Sequence, residues 1–326
     1  GPIELPIYLC DSLFIEARTT LTGVSYVIRT HVGEFELPKP VVERGLLSRL
    51  LETIDRCLRL PGESKYTPDE FEEMVKNQLR LSDADAQVVR RLYRVFLKLE
   101  KEGKNHIWTS IIKNAFAPLT IPESYGKFDY VVGNPPWVIW DNLPDEYRTR
   151  LENVLRYYNI WRPGERWGAA KVDISVLFTY VCLDKYLKDD GKLGFLITQS
   201  VFKTKGAGER FRQFKVRETP VRVLKVHDLV EIKPFEGANN RTAMIIVNKG
   251  DKTTYPVTYV VWKKIAPVDQ SDSLETAFAK SKLLDMVAIL SDEKNPLSPW
   301  ITVPEGAVHA IEKIKGKNHY LSLIHI

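Results

Sequence analysis

Nothing in this chain restricts its fold as tightly as the stretch Phe128-Asp129-Tyr130-Val131-Val132-Gly133-Asn134-Pro135-Pro136-Trp137. Tyr130, Val131 and Val132 form a short β-prone run, which reads as a buried strand, and Gly133 ends it. Pro135 confines Asn134 to extended geometry, and Pro136 does the same to Pro135. Two successive prolines also remove two N–H donors and leave carbonyls free to accept hydrogen bonds. An amide, an outward carbonyl and a large aromatic face are therefore fixed together at the carboxyl end of a strand. That is where open α/β sheets bind their ligands.

The 326 residues suffice for one large domain or two ordinary ones. With 44% hydrophobic and 27% charged residues the composition is that of a globular protein. A net charge of +5 suits nucleic-acid contact through local patches and is shared by many other proteins. The three cysteines (Cys10, Cys57, Cys182) are odd in number and far apart. They speak against a disulfide framework, and no His/Cys spacing indicates zinc; no metal site is expected. There is no apolar run of about 18 residues and no signal-peptide layout, so the expectation is a soluble cytoplasmic protein without a membrane partner.

Along the chain, Ile7-Tyr8-Leu9-Cys10 is patterned as a strand ending at Asp11-Ser12-Leu13. Since there is no initial methionine and a domain rarely starts inside its sheet, the expectation is a fragment. Val24–Ile28 and Gly33–Leu37 read as a hairpin. From Val41 to about Ala117 the pattern is helical. Leu46, Leu47, Leu50, Leu51, Ile54 and Leu58 share a face, and Thr67-Pro68-Asp69-Glu70 opens a second helix. Arg90, Arg91 and Arg94 on the third helix read either as a solvated face or as contacts to a phosphate backbone.

Trp140 to Trp167 interleaves aromatics with Arg148, Arg150, Arg156, Arg162 and Arg166. Two readings stand side by side: nucleic-acid contact by phosphate pairing and stacking, and an amphipathic helix with a loop. Next, a helix with Leu177, Phe178 and Val181 is predicted to run to Asp189-Asp190-Gly191, with a buried strand Leu193–Thr198 behind it. That is the repeating unit of an α/β sheet. Two later strands, Val221–Val226 and Thr242–Val247, flank a polar loop containing Phe235, and a further strand covers Thr254 to Trp262. A linker, a helix over Leu274–Leu290 and a Pro-rich turn complete the reading. Asp228, Glu231 and Lys233 include the E-x-K of Mg²⁺ nucleases, but they sit too close in one strand end to converge on a metal.

The Asn134-Pro135-Pro136-Trp137 loop after its strand, the Lys171-x-Asp173 helix, the Gly-bounded strand and the late hairpin together resemble the adenine-specific (N6) DNA methyltransferases of restriction-modification systems. The resemblance covers roughly residues 1–13 and 121–250. It implies a Rossmann-like α/β methyltransferase sheet, incomplete at its N-terminus and carrying a mainly helical insertion over residues 14–120. The catalytic part would span 121–264, and 265–326 would begin a truncated target-recognition region.

It further implies S-adenosyl-L-methionine (AdoMet) as cofactor and double-stranded DNA as partner, with a restriction or specificity subunit or domain beside it. Asp11 matches the carboxylate that accepts from the cofactor's adenine, with Leu13 as an apolar neighbour; by its position Asp11 is equally a turn former or helix cap. Asp173 and Phe178 match the wall of the same pocket, although Phe178 is also a core residue by helical spacing. Phe235 matches the aromatic that stacks on the extruded base opposite Trp137.

In this chemistry Asn134 and the Pro135 carbonyl accept the two N–H bonds of the adenine amine and aim its lone pair at the sulfonium methyl. The glycine-rich loop that holds the cofactor's methionine half is nowhere in these residues. Alone, they are therefore expected to bind AdoMet poorly and to be marginally stable. The same device serves protein-glutamine and RNA amino-methyltransferases, and a catalytically silent DNA-recognition subunit would keep the fold.

Overall fold

A computed structural model describes residues 16–317 except 21–22, 31, 63–64, 105–106, 162–172, 207, 236–239 and 270. Asp11, Leu13 and the strand expected over Ile7–Cys10 lie outside the described residues, as do Lys171, Arg162 and Arg166. The chain divides into two compact units, Gly1–Lys127 and Phe128–Ile326.

The first unit opens with an antiparallel sheet of β1 (Glu16–Thr20), β2 (Gly23–Thr30) and β3 (Gly33–Pro38), the expected hairpin with one more strand. Helices α1 (Lys39–Glu43), α2 (Leu47–Leu58), α3 (Pro68–Leu79), α4 (Asp83–Lys101) and α5 (Trp108–Tyr125) follow. Of the leucine face read from the sequence, Leu47, Leu50, Leu51, Ile54 and Leu58 are buried, and Leu46 is half-buried. Thr67 opens α3 through a capping box with Glu70, which contributes about 1 kcal/mol.

Phe35 stacks on Trp108 and meets Phe96 edge-on, while Phe71 stacks on Tyr93 at 3.9 Å. Arg90 pairs with Asp69 and Glu72, and Arg91 with Glu36. Both guanidiniums thus belong to the unit's own ion pairs. Pro118 and Pro122 lie inside α5, so the helix runs past the boundary expected at residue 120.

In the second unit the order is β4 (Phe128–Gly133), α6 (Asp145–Tyr157), α7 (Ile174–Lys185), β5 (Leu187–Thr198) and α8 (Ser200–Lys203). Then come β6 (Lys215–Val216), β7 (Thr219–Asp228), β8 (Thr242–Lys249), β9 (Val257–Lys264), α9 (Leu274–Ala279), β10 (Ser281–Leu290), β11 (Trp300–Val303) and α10 (Val308–Lys317). The sheet order is β11-β10-β9-β7-β8-β5-β4, with β6 beside β7. Pairs β4–β5 and β7–β9 are parallel, and the other pairs are antiparallel. The α/β class expected from the sequence is what folds.

Four local expectations are corrected. Among the described residues the strand before Asn134 is not buried: β4 is one of the two outer strands of the sheet, with Tyr130 69% and Val132 81% exposed. Its Tyr-Val-Val run reads as core because apolar content reports affinity for burial, not the presence of a cover. The hairpin β7–β8 lies inside the sheet rather than at its rim, because β9, β10 and β11 extend the sheet beyond it. The helix expected over Leu274–Leu290 stops at Ala279, and Ser281–Ala288 pairs with Lys264–Val257 instead. An apolar run of that length satisfies either period, and the free edge of β9 decides it. Finally, Asp189-Asp190-Gly191 is not a helix end but part of β5. Asp190 takes φ +61° there, and a Cβ on Gly191 would lie 2.8 Å from the Leu187 side chain.

Candidate active site

The carboxyl ends of β4, β5 and β7 and the amino end of β8 share one edge of the sheet. At that edge β4 delivers Asn134, which is exposed, followed by buried Pro135, exposed Pro136 and half-buried Trp137. Gly133 allows the strand to leave closely over β5, since a Cβ there would come within 3.1 Å of the Phe195 ring.

Two hydrogen bonds then fix the loop. The Trp137 indole Nε1–H donates to the Leu196 carbonyl at 3.1 Å. The Ile174 amide donates to the Val138 carbonyl at 2.9 Å, and Ile139 forms a bridge with Asp173. The amide of Asn134 is thus presented from a loop held at β5 on one side and at the start of α7 on the other.

Asp173 sits at that start as the cap of α7, accepting the Ser175 amide at 2.8 Å. The Thr198 hydroxyl also bonds to it, and burial pushes its carboxyl above the usual range. Within α7, Ile174–Leu183 is buried except for Phe178, which keeps part of its ring open.

Phe235 meets Trp137, with ring centroids 5.3 Å apart and planes at 74°. The resemblance assigns these two rings to opposite faces of one base; here they touch each other edge-on. Phe235 lies on the loop joining β7 to β8, in a turn where the Lys233 amide bonds to the Leu229 carbonyl and Lys233 takes φ +45°.

The acids of the E-x-K stretch have other partners. Asp228 accepts from Gln199, from the Tyr259 hydroxyl at 2.8 Å and from the Val230 amide at 3.2 Å. Glu231 pairs with Lys263, which holds its carboxyl below the usual range. Among the described residues no group of three His, Cys, Asp or Glu side chains converges as metal ligands. Two residues of this region escaped sequence reasoning, Leu196 through its carbonyl and Gln199 through its amide. The signal for Gln199 was slight: a large polar residue directly after a buried strand.

Of the aromatic and basic stretch after Trp137, Asp145–Tyr157 forms the helix α6. Along α6, Arg148 pairs with Asp145, Arg150 with Glu146 and Arg156 with Glu152. Exposed pairs of this spacing contribute about 0.3–0.5 kcal/mol each. The Arg156 guanidinium also lies 4.3 Å over the Trp161 ring.

For an α/β sheet that presents an Asn-Pro-Pro-Trp loop beside a second aromatic loop, comparison with known proteins gives the class, the restriction-modification methylases. The chain belongs to the Eco57I restriction-modification methylase family, whose model matches residues 42–235, more than half of its length. It is 32% identical over 76 residues to the modification methylase CviBIII of Paramecium bursaria Chlorella virus NC1A, covering 23% of this chain and 16% of that protein. Among solved structures it is similar to a nuclease-deletion mutant of the Type ISP restriction-modification enzyme LlaGI in complex with a DNA substrate mimic (14% identity, TM-score 0.38, 79% of this chain and 30% of that one). It is also similar to a modification subunit of a putative type I restriction enzyme from Vibrio vulnificus YJ016 (10% identity, TM-score 0.30, 54% of this chain and 37% of that one). The chain therefore spans well under two thirds of the length of each of these proteins.

Proposed function

We propose that this chain carries the amine-orienting part of a DNA methyltransferase of a restriction-modification system, acting on the N6 amino group of an adenine flipped out of duplex DNA. The observation that carries the reading is the placement of Asn134. It is an exposed amide at a strand's carboxyl end, next to the Pro135 carbonyl, and its loop is anchored through Trp137 and Val138.

The adenine amine is a poor nucleophile because its lone pair is delocalised into the ring. The Asn134 side-chain oxygen and the Pro135 carbonyl accept its two N–H bonds and draw the nitrogen toward tetrahedral geometry. Catalysis of this kind needs no nucleophile or metal from the protein; it works by orientation and electrostatics. The target nitrogen is buried in the duplex, so the base must leave the stack, and Trp137 offers its ring as the new neighbour. Phe235 takes the second face.

AdoMet would supply the electrophilic methyl group. Phe178 fits a wall for its adenine, being the residue of the Ile174–Leu183 segment that keeps part of its surface open, with Asp173 beside the same helix start. Asp11 and Leu13 are proposed for the same pocket on the resemblance of their sequence. Double-stranded DNA and a restriction or specificity subunit or domain are the partners this reading assigns.

The test incubates the full-length gene product with labelled AdoMet and duplex DNA, then digests the DNA to nucleosides. N6-methyladenine that disappears in Asn134→Ala, with DNA binding retained, is the expected result. Label in RNA or protein instead would move the same chemistry to another amine, and no label in any of them would leave a silent recognition module.

A further inference from the structure

Buried beneath the two aromatic loops is a polar contact that the chemistry above does not use. Gln199 follows β5 directly and is 6% exposed, and its side-chain amide donates to the Asp228 carboxylate. Asp228 is the last residue of β7, where the loop carrying Phe235 departs. The Gln199 backbone amide donates to the Arg241 carbonyl at 2.7 Å, where the same loop returns to β8. One residue thus holds both ends of that loop, the first through its side chain and the second through its backbone. Three residues earlier on β5, the Leu196 carbonyl holds the Trp137 indole.

We infer that Gln199 is a positioning residue for the base slot: it sets where Phe235 stands relative to Trp137. A buried carboxylate is kept in place by the donors it accepts, and Asp228 has three, from Gln199, Tyr259 and Val230. Two of them come from residues outside the loop, Gln199 and Tyr259. Tyr259 is on β9 and fixes Asp228 against the sheet. Gln199 links the first end of the loop's stem to the strand that also carries the Trp137 anchor, beside the ladder that pairs Thr198 with Thr242 at the second end. Removing its side chain loosens the stem toward β5 while the backbone bond to Arg241 persists. The slot then loses its register, although the sheet retains its hydrogen bonds.

This inference rests on the adenine-methyltransferase reading, and the experiment separates the two. The full-length gene product, as wild type, Gln199→Ala, Gln199→Glu and the exchange Gln199→Glu/Asp228→Asn, is assayed for methyl transfer from labelled AdoMet to phage DNA that lacks N6-methyladenine. Crystal structures of the wild-type and Gln199→Ala proteins are solved beside the assay. Gln199→Ala is expected to lower kcat at least about tenfold with little change in the KM for DNA, because phosphate contacts are untouched. Gln199→Glu opposes two carboxylates and should lose more.

The exchange variant restores a carboxylate–amide pair with donor and acceptor reversed, and should return kcat to within about threefold of wild type. A Gln199→Ala protein that unfolds more easily but keeps wild-type kcat and KM would reduce Gln199 to a structural role and overturn the inference. If the wild type methylates no DNA, it is the functional reading that fails. The crystal structures still decide the positioning: an unchanged edge-on contact of Phe235 with Trp137 in Gln199→Ala overturns it, and a displaced Phe235 upholds it.

Discussion

Phe235 stands edge-on to Trp137 at 5.3 Å between centroids, too near to hold a third ring between them. A base stacked on both faces needs two layers of contact at about 3.5 Å each, hence about 7 Å between parallel rings. Trp137 is held by its bond to Leu196, so Phe235 is the ring that has to turn. Phe235→Ala is therefore expected to lower kcat by about tenfold, the worth of one base–aromatic stack on a base already out of the duplex, with little change in the KM for DNA. Trp137→Phe keeps an aromatic face but leaves the Leu196 carbonyl without its donor. It should lower kcat by about 1–2 kcal/mol in barrier terms, read from the rate at saturating DNA.

A methyl group at Gly208 has no room. Its Cβ would lie 2.1 Å from the Val201 carbonyl oxygen and 2.5 Å from Arg212 Nη1. Arg212 is itself fully buried and ties Val201 to Leu297 through their carbonyls. Gly208→Ala is expected to destabilise the second unit by about 2–3 kcal/mol, measurable as a fall in Tm.

Burial pulls the ammonium of Lys203 down to about 8. Its Nζ donates to the Thr302 hydroxyl and lies 4.8 Å over the Tyr259 ring, with Asp228 partly offsetting the penalty. Below pH 8 both folded and unfolded chains carry this charge, and the folded one bears the full desolvation penalty. Between about 8 and the ordinary lysine value the unfolded chain binds the extra proton, so stability from this group rises with pH. Lys203→Met should stabilise the protein at pH 7 and flatten the rise in Tm between pH 7.5 and pH 9.5, as seen by calorimetry across that range.

The outer strand β4 shows Phe128, Tyr130 and Val132 to solvent along an edge that no strand among the described residues pairs with. Exposed apolar edges pair with other strands. Val132→Lys is expected to reduce concentration-dependent light scattering of the purified chain while leaving its circular dichroism unchanged.

The rigid Asn134-Pro135-Pro136-Trp137 turn could be read from the sequence because its constraint is local: two prolines fix their neighbours whatever the surroundings. The Thr67 cap was legible for the same reason, with all its parts within four residues. By contrast, Gln199 and Asp228 are 29 residues apart. Nothing near either of them announces the other. The exposure of Val132 was hidden too, since a β-prone run looks alike at the centre and at the edge of a sheet. The helical pattern reads as ending at about Ala117, yet α5 runs on to Tyr125 with Pro118 and Pro122 inside it.

Asn134 stands at the end of β4, which among the described residues has a neighbour on a single side. Its rigidity is therefore only half provided by the described strands. Any strand that adds itself to β4 stiffens the perch of the Asn134 amide, and by thermodynamic reciprocity anything that engages Asn134 tightens the hold on that added strand. Engagement of Asn134 and occupation of the open side of β4 are in this sense one equilibrium seen from two ends.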